Sequence, residues 1–80
     1  GDETALFVDR QPVRSITWAA EPRPGEVLVQ GSAHGAVAAA VLESDGLVRW
    51  ATPQRRIAAG QSLVFYDPTD TYVLGGGLAS

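Results

Sequence analysis

Ser44-Asp-Gly46 stands between two short apolar runs, Ala36-Val-Ala-Ala-Ala-Val-Leu-Glu43 and Leu47-Val-Arg-Trp-Ala51. Asp-Gly between alternating apolar segments is a strong local signal for a β-hairpin. The alanines of the first run favour a helix by propensity, but the apolar residues from Val37 to Val41 alternate and the run is short. We therefore predict two antiparallel strands joined by a tight turn.

Comparable short segments lie on both sides of this hairpin, separated by Gly, Pro and Asp, as in β-sandwiches and barrels. The first, Pro12 to Trp18, is rich in β-branched and aromatic residues, and its alternation would place Arg14, Ile16 and Trp18 on one face. Residues 52–60 are predicted to form an irregular crossing that ends in a turn at Ala59-Gly60. The fold class is therefore all-β, a small closed or partly open antiparallel β-barrel of about six strands. The other predicted strands are 26–30, 61–66 and 71–74.

The apolar share is 45% of 80 residues, but alanine and valine supply much of it. Aromatic side chains bury the largest areas, so we predict that the six aromatic residues anchor the core. The run Gly75-Gly-Gly77 should let the last strand approach neighbouring backbone closely, since glycine has no Cβ. The whole chain, 1–80, is predicted to form one barrel domain, with residues 1–4 a cut end or a cloning remnant. The aromatic residues are Phe7, Trp18, Trp50, Phe65, Tyr66 and Tyr72.

The sequence also restricts the cellular setting. The chain contains no cysteine, which excludes a disulfide framework and a thiolate metal site. Its start, Gly1-Asp-Glu3, is acidic, unlike a signal peptide, and no apolar run approaches the roughly 20 residues of a bilayer span. We therefore expect a cytoplasmic protein without a membrane partner.

The charge balance argues against an independent nucleic-acid-binding protein. Nine acidic residues face six arginines, there is no lysine, and the net charge is −3. A protein that binds nucleic acid on its own gains affinity from a large basic patch, which this composition does not supply. If RNA is a partner, we expect this domain to assist another surface.

Residues that could carry chemistry are few. Nucleophilic catalysis needs a histidine beside a nucleophile and an orienting group, and the one histidine, His34, lies in a Gly-rich bend. We predict no catalytic residue and no metal site, and Gly75-Gly-Gly77 lacks the helix that follows a phosphate-binding loop. Arg55-Arg56 could contact phosphate or pair with acidic side chains of the same chain, and the sequence alone favours the second interpretation. Gln61 follows a turn and could present its amide at the barrel rim.

Three ordered segments towards the end of the chain resemble the C-terminal domain of the bacterial tRNA-specific 2-thiouridylases. They are Thr52-Pro-Gln-Arg-Arg-Ile-Ala-Ala-Gly-Gln61, Ser62-Leu-Val-Phe-Tyr66 and Val73-Leu-Gly-Gly-Gly77. Upstream, Val13 to Trp18 is similar to a family strand that ends in tryptophan, and Val29 to Gly35 is similar to a Val-Gln-x-Arg-Ala/Tyr stretch. The resemblance implies a β-barrel that helps to hold the anticodon arm of tRNA.

The resemblance also implies what the rest of such an enzyme does. The family activates C2 of the wobble uridine with ATP and replaces its oxygen with persulfide sulfur, which a sulfur-donor protein supplies. In the family the ATP-binding loop and both catalytic cysteines lie in an N-terminal domain, and a chain without cysteine carries no persulfide. We therefore expect no cofactor in this chain, no catalysis by it alone, and contacts with the preceding domains of the same polypeptide.

The site residues implied by the resemblance follow by position. Gln61 matches a family residue that contacts tRNA, and Ser32-Ala33 stands in the place of an Arg-Tyr or Arg-Ala pair, so a phosphate contact is lost at Ser32. Charge or polarity makes Arg55, Arg56 and His34 candidates to compensate. The alternative is a structural or protein-interaction barrel that docks on the neighbouring domain without contacting RNA, which the negative net charge permits. The predicted tRNA-binding residues are Gln61, Ser32, Ala33, Arg55, Arg56 and His34.

Overall fold

The structure is a computed structural model that describes residues 7–31 and 36–80, and these residues form six β-strands joined by turns and loops. The prediction of an all-β fold is therefore confirmed. The described residues include no helix that could span a bilayer. The strands are β1 (Phe7–Trp18), β2 (Gly25–Gly31), β3 (Ala38–Leu42), β4 (Leu47–Arg55), β5 (Ser62–Tyr66) and β6 (Val73–Ala79).

The six strands form a closed antiparallel barrel in the order β1-β4-β3-β2-β5-β6, with β6 paired back to β1. Strand β1 closes the barrel because its first half, up to Pro12, pairs with β4 and its second half, from Val13, pairs with β6. The meander β2-β3-β4 with β1 beside β4 is a Greek-key arrangement. Closure pairs each strand on both sides, which removes the open edges through which sheets aggregate.

The hairpin between β3 and β4 confirms the prediction made for it. The Gly46 amide donates a hydrogen bond to the Glu43 carbonyl at 3.0 Å, and the Leu47 amide donates to the Asp45 carboxylate at 3.0 Å. Gly46 has a φ of 90°, so the loop is a tight turn followed by one residue in the left-handed region. The Val13 amide donates to the Gly46 carbonyl at 3.0 Å, which ties this turn to β1.

The core consists of inward-facing aliphatic side chains and two buried aromatic residues, Trp50 and Phe65. The prediction that all six aromatic residues anchor the core is wrong, because Phe7 and Tyr72 are 46% and 50% exposed. Phe65 and Tyr66 are neighbours in β5, and alternation directs only one of two neighbouring side chains inward. The buried hydrophobic residues are Val13, Val27, Val29, Ala40, Leu42, Val48, Trp50, Leu63, Phe65, Leu74 and Ala79.

Because of a β-bulge at Ser15, the prediction that Arg14 shares a face of β1 with Ile16 and Trp18 is wrong. Between Arg14 and Thr17, β1 has one residue more than the facing stretch of β6. Ser15 has a φ of 57°, and the extra residue shifts the alternation of side chains by one position. As a result Arg14 is exposed, whereas Val13 and Ile16 both contribute to the core.

The predicted irregular crossing at residues 52–60 is only partly correct, because β4 continues to Arg55. The pairing of β4 with β1 is nevertheless irregular there, since residues 50–53 lie opposite the single residue Asp9. The backbone therefore stays extended while it departs from regular pairing, as in a large bulge.

The glycine run 75–77 lies where other backbone comes close, as predicted. A Cβ on Gly75 would lie 2.5 Å from the Thr17 carbonyl oxygen, and a Cβ on Gly76 would lie 2.7 Å from the Leu63 carbonyl oxygen. Both distances are shorter than real Cβ contacts. Side chains larger than that of glycine at these positions would therefore push β6 away from β1 and β5, the two strands with which it pairs.

The loop between β5 and β6 is organised by the buried carboxylate of Asp67. This carboxylate accepts hydrogen bonds from the amides of Thr69, Thr71 and Tyr72 at 3.1, 2.7 and 2.7 Å, and from the Thr69 hydroxyl. Burial alone would raise the pKa of Asp67, but the hydrogen bonds from the Thr69 side chain and the three amides favour the charged form. Together they lower the pKa to about 2.

We expect acid to destabilise the domain through Asp67. Its pKa is about 2 when folded, against an ordinary value of 3.8, so its contribution to stability is complete above about pH 4 and is lost as the pH falls towards 2. The Asp67→Asn variant should have a lower urea midpoint than the wild type at pH 7 and a smaller further decrease between about pH 4 and pH 2. Urea unfolding of Asp70→Asn, in the same loop, is the control. An unchanged acid dependence in Asp67→Asn would contradict this assignment.

Candidate nucleic-acid interface

The two ends of the barrel carry different residues. At one end β2 and β4 finish and β3 and β5 begin, and we call it the Gln61 end. At the other end β1, β3 and β5 finish, in the loops 19–24, 43–46 and 67–72, and we call it the Asp67 end. Because neighbouring strands are antiparallel, successive connections alternate between these ends.

Charge is divided unequally between the two ends. The three loops of the Asp67 end contain five acidic residues and a single arginine, Arg23. Loop 56–61 of the Gln61 end contains no acidic residue, and Arg55 and Arg56 lie at its start. A net charge of −3 is therefore compatible with an anion-binding surface at the Gln61 end, because much of the negative charge is elsewhere. The acidic residues of the Asp67 end are Glu21, Glu43, Asp45, Asp67 and Asp70.

Gln61 is exposed and follows the turn predicted at Ala59-Gly60, which the structure confirms. Its backbone N–H donates a hydrogen bond to the Ala58 carbonyl at 3.1 Å, and Gly60 has a φ of 91°. The Gln61 carbonyl accepts a hydrogen bond from the Ala79 amide at 2.9 Å, which fixes the start of β5 against β6. The backbone of Gln61 is thus held on two sides, and the side chain lies at the surface with both a donor and an acceptor.

Arg55 is exposed at the end of β4, and its guanidinium carbon lies 6.0 Å from the centroid of the Phe7 ring. The two residues pair across β4 and β1, and a cation near an aromatic face is attracted to the ring. Because Phe7 is 46% exposed, the guanidinium and the ring face solvent together. The prediction of a core position for Phe7 was wrong, because the pairing of β1 with β4 places this ring at the surface beside Arg55.

Arg56 and Arg10 line one cleft of 380 Å³ between β1, the loop after β4 and Ser80. Arg10 is 4.0 Å from the Asp9 carboxylate, and both side chains are largely exposed, so this ion pair contributes little to stability. Within residues 7–31 and 36–80, no carboxylate forms an ion pair with Arg55 or Arg56. Their interpretation as internal salt-bridge partners therefore finds no support in that part of the chain. The sequence does not single out Arg10, because only the pairing of β1 with β4 brings it to the cleft that it shares with Arg56.

Three predicted site residues lie outside the part of the chain that the structure describes. Gly31, at the end of β2, pairs with Leu63 on β5. Ala36, ahead of β3, lines a pocket of 180 Å³ together with Arg55. Gly31 and Ala36, which flank residues 32–35, therefore both lie at the Gln61 end. Contact of the three site residues with tRNA stays a prediction. The three residues are Ser32, Ala33 and His34.

The groups gathered at the Gln61 end suit binding. In the described ranges, no three His, Cys, Asp or Glu side chains lie close enough together to hold a metal ion. The Gln61 end offers guanidinium groups, an exposed aromatic ring and a side-chain amide. These groups bind phosphates, stack on bases and form hydrogen bonds with base edges.

Comparisons with known proteins extend this description. A family model described as "Aminomethyltransferase beta-barrel domain" matches residues 8–79. The chain is 28% identical, over an alignment 86 positions long, to the tRNA-specific 2-thiouridylase MnmA of Dinoroseobacter shibae. That alignment covers 96% of this chain and 22% of the relative, so the chain spans about a fifth of the relative's length. No solved structure gives a significant match.

The two matches confirm the predicted resemblance to the C-terminal domain of the tRNA-specific 2-thiouridylases. The family model begins within β1 and ends at the last residue of β6, so it includes all six strands of the barrel. The chain therefore belongs to the aminomethyltransferase beta-barrel domain family.

Proposed function

We propose that this domain binds tRNA through its Gln61 end, as part of a longer polypeptide that thiolates tRNA. The observation that carries the proposal is the separation of charge between the two ends of the barrel. A phosphate backbone is attracted to the end that carries Arg55 and Arg56 and is repelled by the excess negative charge of the Asp67 end, which remains after Glu43 pairs with Arg49. The proposed contacts are Gln61, Arg55 and Arg56, together with Ser32, Ala33 and His34.

Each proposed contact has a chemical reason. The planar guanidinium groups of Arg55 and Arg56 can donate two parallel hydrogen bonds to phosphate, and Arg10 would extend this surface into the shared cleft. The Phe7 ring beside Arg55 offers a platform for an unstacked base, as in many proteins that bind single-stranded RNA. The Gln61 amide can donate to and accept from a base edge or a ribose.

The reaction itself is proposed to take place outside this chain. The relative is named a tRNA-specific 2-thiouridylase, and we propose 2-thiouridine at the wobble position as the product. This chain has no cysteine to carry sulfur. Other domains of the polypeptide would therefore bind ATP and receive persulfide sulfur from a donor protein, in the cytoplasm. This domain would hold the anticodon arm in place while those domains act.

We expect single substitutions at the Gln61 end to weaken tRNA binding by the natural polypeptide that carries this chain. Arg55→Ala and Arg56→Ala should each weaken binding by roughly threefold to tenfold, equivalent to about 0.7 to 1.4 kcal/mol. Each should also reduce the slope of log affinity against log salt by about 0.7 to 0.9, because one phosphate contact is lost. Gln61→Ala should weaken binding without changing that slope, since glutamine is uncharged. Fluorescence anisotropy with labelled tRNA at several salt concentrations measures both quantities.

The matched control is Arg23→Ala, which removes an arginine from the Asp67 end. Its tRNA affinity and salt slope should equal those of the wild type. If Arg23→Ala weakened binding as much as Arg56→Ala, the proposed division between the two ends would be wrong. Unchanged binding in all three Gln61-end variants would remove these residues from the interface.

A further inference from the structure

A continuous apolar band crosses the outer wall of the barrel. Leu28 on β2 pairs with Ala39 on β3 and with Tyr66 on β5, and Tyr66 pairs in turn with Val73 on β6. Ala51 extends the row on β4, one residue beyond the last pair between β3 and β4. Directly paired residues on one face of a sheet lie about 5 Å apart, so these side chains adjoin one another. The band therefore covers five of the six strands.

The surface of the band forms a groove where its side chains are smallest. Ala39 and Ala51, with Val41 and Pro68 nearby, border a groove of 510 Å³ on the outer wall. Val41 and Val73 are 43% and 46% exposed. The water-facing side of an antiparallel sheet normally carries polar residues, and contiguous exposed apolar surface commonly marks an interaction site.

The charged groups at this groove favour a protein partner over RNA. The Arg49 guanidinium donates a hydrogen bond to the Glu43 carboxylate at 2.9 Å, so its charge is compensated within the chain. Glu26 lines the same groove and lies beside Val41 across β2 and β3. A carboxylate next to an apolar groove repels phosphate and attracts a cationic side chain.

We propose that this band is the docking surface for a neighbouring domain of the natural polypeptide. That domain would place an apolar side chain in the groove and a basic residue opposite Glu26. The matched part of the curated relative is 22% of its length, so a polypeptide of that kind has ample further surface to cover the band. The band lies on the wall of the barrel and Gln61 at its end, so docking and tRNA binding are compatible and independent.

Thiol labelling of the natural polypeptide tests this proposal, because the present chain contributes no cysteine of its own. Ala39→Cys places a thiol in the band, and Thr17→Cys places one at an exposed position on β1, which contributes no residue to the band. Maleimide labelling at each position is followed by mass spectrometry without tRNA. The rate at Ala39→Cys should be about tenfold or more below the rate at Thr17→Cys, since a docked surface is open for only a minor fraction of the time.

Each outcome of the labelling experiment decides the proposal. Equal rates at the two positions would overturn it, and protection of Ala39→Cys that appears only when tRNA is added would identify RNA as the occupant instead. Protection that disappears on dilution would identify a second copy of the polypeptide. Adding Glu26→Lys to Ala39→Cys should raise the labelling rate by about threefold or more, because the new lysine repels a basic partner. An unchanged rate in that double variant would overturn the proposed basic residue.

Discussion

The Phe65→Ala variant is expected to lose about 3 to 5 kcal/mol of unfolding free energy, because truncation of a buried aromatic side chain removes its burial and leaves a cavity. Phe65 is 0% exposed and is the largest of the fully buried side chains. Its ring centroid lies 6.4 Å from that of Trp18, so an aromatic pair is lost as well. A domain of this size has a total stability of roughly 4 to 12 kcal/mol. The expected loss is therefore a substantial part of the whole stability of the domain.

Urea unfolding monitored by tryptophan fluorescence measures this loss, since Trp18 lies beside the substituted ring. The control is Tyr72→Ala, which truncates an aromatic side chain that is 50% exposed. Its unfolding free energy should stay within about 0.5 kcal/mol of the wild-type value, as for most surface substitutions. A larger loss in Tyr72→Ala than in Phe65→Ala would contradict the core described above.

The Gly46→Ala variant is expected to lose about 2 to 5 kcal/mol of unfolding free energy, for two separable reasons. Gly46 has a φ of 90°, and placing an L-residue in this left-handed region costs about 1 to 2 kcal/mol. The added Cβ would also lie 2.8 Å from the Val13 carbonyl oxygen. Relieving this contact requires β1 or the turn to move, at a cost of about 1 to 3 kcal/mol.

Gly60→Ala separates the two contributions, because Gly60 has nearly the same φ, 91°, and among the described residues beyond its chain neighbours no atom lies within 4 Å of its added Cβ. This variant should lose only the conformational cost of about 1 to 2 kcal/mol. Urea unfolding of both variants under the same conditions gives the difference between them. Equal losses would show that the turn between β3 and β4 does not pack against β1 as described.

The parts of the fold that could be predicted from the sequence depend on short-range signals. Asp45-Gly46 and Ala59-Gly60 form their turns with close neighbours in the chain, and alternation marks the strands between them. The bulge at Ser15 could not be predicted, because its extra residue is defined by the pairing of β1 with β6. One added residue exchanges the two faces of a strand, and the predicted orientation of Arg14 was wrong for this reason.

The candidate site also combines residues that could be predicted from the sequence with residues that could not. Gln61, Arg55 and Arg56 follow one another closely in the chain, so their residue types and their resemblance to a known family were enough to select them. Arg10 and Phe7 lie more than forty residues away in the sequence and reach the site through the pairing of β1 with β4. The division of charge between the two ends could be seen only from the order of the strands, whereas the net charge of −3 alone argues against independent binding of nucleic acid.

Ultraviolet cross-linking of tRNA to the natural polypeptide, with the linked peptides identified by mass spectrometry, tests tRNA contact at one barrel end most directly. We predict cross-links within this domain at Phe7 and in the segment from Arg55 to Gln61, with loops 19–24 and 67–72 unlinked. Cross-links concentrated in those two loops, or a domain without any cross-link, would contradict the account.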